Sequence, residues 1–103
     1  ATLDAARMGR YGYALLTVGS NRRALEILQQ ADRMAAGKDK GIRIYLARAY
    51  GANGDVLRQY EILDAYAALP SATEEDWIAA ADARDQNEDI RDGLRVLNSY
   101  SGK

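Results

Sequence analysis

An all-α fold of six helices in three antiparallel pairs is what this sequence of 103 residues predicts. Three observations carry that expectation. Apolar residues recur at intervals of three and four almost throughout, the spacing of amphipathic helices. Alanine is the commonest residue, proline occurs once and β-branched residues are few, a composition biased toward helix. Matching residues also return at a repeat interval: Leu28, Leu63 and Leu97, and likewise Gly12, Ala47 and Ala81, are 35 and 34 residues apart.

The elements follow in order. Leu3, Tyr11, Leu15 and Val18 mark one face of a first helix, and Ala24, Leu25, Leu28, Ala31 and Ala35 mark a second. Gly19-Ser20-Asn21 between them combines a glycine stop with residues suited to N-capping. Ile42, Leu46 and Tyr50 define a third helix, broken by Gly51-Ala52-Asn53-Gly54-Asp55, with Asp55 as the expected cap of the fourth. That fourth helix carries Ile62, Leu63, Tyr66 and Leu69 up to Pro70. Ser71-Ala72-Thr73-Glu74 has capping-box spacing and opens a fifth helix through Trp77, Ala80 and Ala81. After Gln86-Asn87-Glu88-Asp89, the residues Ile90, Gly93, Leu94, Leu97 and Tyr100 mark a sixth.

Several positions per unit keep one register. The first unit has Met8, Tyr11-Gly12, Leu15, Ala24, Leu28 and Ala31; the second Leu46-Ala47, Tyr50, Gly54, Leu63 and Tyr66; the third Trp77, Ala80-Ala81, Gly93, Leu97 and Tyr100. This pattern resembles the tetratricopeptide repeat, with repeats at about 5–38, 40–73 and 74–103 forming a single domain. The resemblance implies a right-handed superhelix of three helix pairs. Departures are Gln59 at a small-residue position of the second unit, Arg84 at the third unit's tyrosine position, and Pro70 as the sole inter-repeat proline. Three repeats are near the minimum for an independent stack, and Ala83 and Val96 stand where an end would leave them uncovered, so a segment of a longer array is expected. The opening at Ala1 rather than Met fits a processed or excised piece.

Composition removes most catalytic chemistry. There is no cysteine and no histidine, hence no thiolate nucleophile, no Cys or His zinc site and no imidazole proton shuttle. Asp85-Gln86-Asn87-Glu88-Asp89 begins like a calcium loop, but Ile90 replaces the required glycine and Val96 the closing glutamate. Glu74, Glu75, Asp76, Asp82 and Asp85 form an acidic run with nothing to set two carboxyl pKa values apart. The serines lack an activating base, and no glycine pattern forms a phosphate loop. A non-catalytic protein without metal or cofactor is expected. No apolar run approaches the roughly 18 residues of a membrane span.

Charge is unevenly placed. The net charge of −1 sums residues 1–52, with nine basic and four acidic side chains, and residues 53–103, with five and eleven. The acidic second half would repel a nucleic-acid strand, which disfavours that partner. Arg22, Arg23, Arg43 and Arg48 make a basic patch that offers direct binding to an anionic polymer or polysaccharide.

The tetratricopeptide resemblance implies instead a groove lined by the first helix of each pair, gripping a protein or peptide. Its positions hold Gly9, Tyr13, Leu16 and Thr17, then Ile44, Arg48 and Ala52, then Ile78, Asp82, Asp85 and Gln86. The family's carboxylate clamp would fall at Gly9, Tyr13, Gly41 and Tyr45, which lack its Lys, Asn and Arg, so a chaperone C-terminal tail is disfavoured. Eleven arginines against three lysines, with abundant alanine, suit a GC-rich bacterial genome. The array is similar in style to periplasmic scaffolds of outer-membrane exopolysaccharide-export proteins of alginate, cellulose and Pel type. That likeness implies the periplasmic side of a bacterial outer-membrane protein rather than the cytoplasm. Opposite charge in the two halves makes head-to-tail self-association a further expectation.

Overall fold

The computed structural model describes residues 4–86, and every regular element among them is a helix. These are α1 (Ala5–Thr17), α2 (Asn21–Met34), α3 (Lys40–Ala52), α4 (Val56–Ala67) and α5 (Glu74–Gln86). The expected sixth helix, with Ile90, Gly93, Leu97 and Tyr100, lies outside the described residues. The chain divides into two compact units, residues 1–55 and 56–103.

In the first unit, capping sets the helix boundaries. Asp4 Oδ1 accepts the Arg7 N–H at 2.8 Å and starts α1, and Asp39 Oδ1 accepts the Ile42 N–H at 3.1 Å and starts α3. α1 ends with Gly19 at φ +84°, where Gly19 N–H donates to Leu16 O (3.1 Å) and Ser20 N–H to Leu15 O (2.8 Å). α3 ends identically in form: Gly54 has φ +86°, its N–H donates to Gly51 O (3.0 Å), and Asp55 N–H donates to Tyr50 O (2.9 Å). Both are Schellman exits, in which glycine takes a left-handed backbone at low steric cost. Ser20 occupies the N-cap position of α2, but its side chain makes no capping hydrogen bond.

α2 lies antiparallel to α1 and α3. Gly12 allows α1 to approach closely, since a Cβ there would fall 2.4 Å from Leu28 Cγ. Leu28 is wholly buried. On the other flank, Arg43 Nη1 meets Asp32 Oδ2 at 3.0 Å, and Gln29 Nε2 donates to the Tyr50 hydroxyl at 3.3 Å. Met8, Ala31 and Ile42 form a shared core, bordered by Ala5, Ile27 and Ala35. α1 and α3 also touch, and their pairings Gly9 with Ile42 and Tyr13 with Tyr45 show that they run in the same direction.

The expected inward face of α1 needs correction. Met8, Gly9 and Gly12 are buried, Leu15 is half-buried, and Tyr11 and Val18 are 38 % and 75 % exposed. The glycines contribute contact surface without an apolar side chain, so an apolar periodicity passes over the face that they build.

The second unit pairs α4 with α5. Gln59, Ile62, Leu63 and Ala67 are the buried residues of α4, and Trp77, Ala80, Ala81, Ala83 and Arg84 are among those of α5. Ala83, expected at an uncovered end, is therefore covered. The capping box also differs from the expected one. Thr73 and Asp76 exchange bonds, Asp76 N–H to Thr73 Oγ1 at 3.3 Å and Thr73 N–H to Asp76 Oδ2 at 3.0 Å, so the box begins two residues after Ser71. α4 stops at Ala67, before Leu69 and Pro70, because a residue preceding proline is pushed out of helical geometry.

Arg84, at the unit's divergent tyrosine position, is only 4 % exposed. Its guanidinium reaches Asp64 through Nη1 to Oδ1 (2.9 Å) and Nη2 to Oδ2 (2.7 Å), and donates to Ala80 O at 3.1 Å. It also lies 4.3 Å from the Tyr60 ring centroid. A planar cation with several donors thus ties α5 to α4.

Candidate functional site

The described part of the expected groove falls on α1 and α3 of the first unit and on α5 of the second. On α1, Tyr13 is 40 % exposed and stacks on Tyr45 of α3, with ring centroids 4.7 Å apart and planes inclined by 27°. Such a pair presents a broad apolar surface with polar hydroxyl tips. Thr17 lies one turn beyond Tyr13 and donates its hydroxyl to Tyr13 O at 3.0 Å. Leu16 and Ile44 are half-buried, whereas Arg48 and Ala52 are exposed. Gly9 is buried, and a Cβ there would lie 3.0 Å from Ile42 Cγ1, so it serves the approach of α3 to α1.

Tyr45, named only at a clamp position, and Arg10, absent from the expected groove, also belong to this surface. Tyr45 precedes Arg48 by one turn, and exposed Arg10 precedes Tyr13 by one turn. The signal for them is the charge pattern within the helix bounds. Residues 5–17 and 40–52 contain no Asp or Glu, while holding Arg7, Arg10, Lys40, Arg43 and Arg48. The flanking Asp4 and Asp39 are committed to backbone N–H groups at the helix starts. The Tyr13–Tyr45 pair therefore sits on two helices whose formal charge is entirely positive.

α5 has the opposite character. Ile78 is 49 % exposed, and Asp82, Asp85 and Gln86 are exposed with it. Asp82 Oδ2 accepts from Gln86 Nε2 at 3.3 Å. Glu74 and Glu75 share that exposed side, four and three residues before Ile78.

The basic patch separates into different environments. Arg22 lies 4.0 Å from Glu26 across one helical turn, with both side chains well exposed. Arg23 lies 5.9 Å from the Tyr11 ring centroid, and Arg22, Arg23, Glu26 and Ile27 line a shallow depression on α2. Arg43 turns to Asp32, whereas Arg48 belongs to the surface beside Tyr45.

No helix among the described residues is long and apolar enough to cross a membrane. No group of three or more acidic side chains among the described residues is placed to hold a metal ion; the expected loop-like run Asp85–Asp89 extends past them. Comparison with protein families, curated proteins and solved structures finds no match to the chain.

Proposed function

We propose that this chain is a non-catalytic scaffold of tetratricopeptide type that captures a protein partner through the shared face of α1 and α3. The stacked pair of exposed Tyr13 and half-buried Tyr45, between Arg10 and Arg48, carries this reading. Tyrosine and arginine are the residue types that concentrate binding energy at protein interfaces. The repeat geometry adds support. First helices begin at residues 5, 40 and 74, second helices at 21 and 56, and the exits at Gly19 and Gly54 use one device. The setting we propose is the periplasmic side of a bacterial outer-membrane exopolysaccharide-export assembly, where such a scaffold recruits an envelope protein. Its support is the alanine-rich, arginine-biased repeat composition.

A second reading is direct binding of an anionic polysaccharide. The observation favouring it is the same acid-free pair of helices, since stacked tyrosines beside arginines also suit sugar rings and acidic groups. Affinity capture from envelope extracts, run beside retention on an immobilised polyuronate, separates them. The scaffold reading expects capture of a protein that responds to Tyr13→Ala and Arg48→Ala. The polymer reading expects retention of the polyuronate that vanishes when Arg22, Arg23, Arg43 and Arg48 become Ala. Recovery of no envelope protein removes the scaffold reading.

A further inference from the structure

The two kinds of exposed helix face are complementary. On α1 and α3, an aromatic centre at Tyr13 and Tyr45 is accompanied by exposed Arg10 and Arg48, with no acidic residue within either helix. On α5, an aliphatic centre at Ile78 is accompanied by Glu74, Glu75, Asp82 and Asp85. Helical spacing puts these four carboxylates within about one third of a turn of Ile78. The only arginine of α5, Arg84, lies among its buried residues and is paired with Asp64, so it does not dilute the acidic face.

We infer that the occupant of the α1/α3 face is the α5 helix of a second copy of this chain. Ile78 of one copy packs on the Tyr13–Tyr45 pair of the next, and the carboxylates around it meet Arg10 and Arg48. Charge complementarity sets the orientation and steers the encounter, and burial of the apolar centres holds the complex. Because the two faces are different surfaces, the contact is head to tail. Each copy retains one unused face of each kind, and association runs on with concentration instead of closing at a symmetric dimer. The inference uses the binding face proposed above but not its envelope partner, so a chain that does not self-associate leaves partner capture standing.

Sedimentation velocity of the full chain tests it. Average mass should climb with concentration at about 20 mM salt and return to that of a single chain at about 0.5 M, where the screening length falls below about 5 Å. Two exposed-surface variants then give the decisive arm, with helical content checked by circular dichroism. Tyr13→Ser/Arg48→Ser damages the receiving face, and Ile78→Ser/Asp82→Ser damages the inserting one. Each should weaken self-association by at least roughly tenfold. Mixed, they retain one intact face of each kind and should form a one-to-one complex that grows no further. A wild-type chain that stays single at low salt, an association indifferent to salt, or variants that do not complement on mixing would each overturn the inference.

Discussion

Gly12 shows how a single atom controls a helix interface. A Cβ at this position would meet Leu28 Cγ at 2.4 Å and Cδ2 at 2.7 Å, so Gly12→Ala must displace a wholly buried leucine. The expected cost is about 1–3 kcal/mol despite alanine's better helix propensity, measurable by urea unfolding. Ala36 offers the reverse case. It follows α2 at φ +54°, a left-handed conformation that costs a side-chain-bearing residue about 1–2 kcal/mol. Ala36→Gly relieves that strain while loosening the unfolded chain, and a net gain of about 0.5 kcal/mol in the same assay is expected. At Arg84 the guanidinium is buried while Asp64 remains about half exposed. Asp64→Ala strands the buried cation and should cost about 1–3 kcal/mol, discounted for the solvent that reaches Asp64. Arg84→Met removes the charge while keeping an apolar stem, and should lie within about 1 kcal/mol of wild type. If Arg84→Met proves the worse of the two, the fork of hydrogen bonds to Asp64 and Ala80 outweighs the burden of burying the cation.

At the scale of the element, caps explain both the success and the limits of reading helices from residue order. Gly19 and Gly54 mark their helix exits in the sequence, whereas Asp39, the cap of α3, is not among the caps that residue order singles out. Residue order points to Ser71 and Glu74 as the start of the fifth helix, although Thr73 and Asp76 have the same spacing. Pro70 opens a turn in which Ala72 N–H donates to Leu69 O at 3.0 Å, so Ser71 is part of that turn and the box closes at Thr73 and Asp76 instead. Thr73→Ala should therefore cost about 1 kcal/mol, whereas Ser20→Ala, at a cap whose hydroxyl is unused, should cost less than about 0.5 kcal/mol. Thermal unfolding followed by circular dichroism compares them directly. α1 is only partly legible: the repeat register marks Met8 and Gly12, whereas apolar periodicity alone points to Tyr11 and Val18 and passes over Gly9.

Across the whole molecule, the repeat interval and the contrast between a basic first half and an acidic second half were visible before any coordinate. What residue order did not contain was the pairing of Tyr13 with Tyr45. They are 32 residues apart, close to but not at the repeat interval, and meet because α1 and α3 run side by side at the distance that Gly9 permits. The same contact turns a list of arginines into two groups, Arg10 and Arg48 beside the aromatic pair and Arg43 bound to Asp32. The proposed partner-binding surface is this aromatic, acid-free face and not the basic depression on α2. Quantitative capture from envelope extract with Tyr13→Ser/Arg48→Glu and with Arg22→Glu/Arg23→Glu tests it most directly. Captured protein should fall roughly tenfold for the first variant and change little for the second. Undiminished capture by Tyr13→Ser/Arg48→Glu, or loss confined to Arg22→Glu/Arg23→Glu, would contradict it.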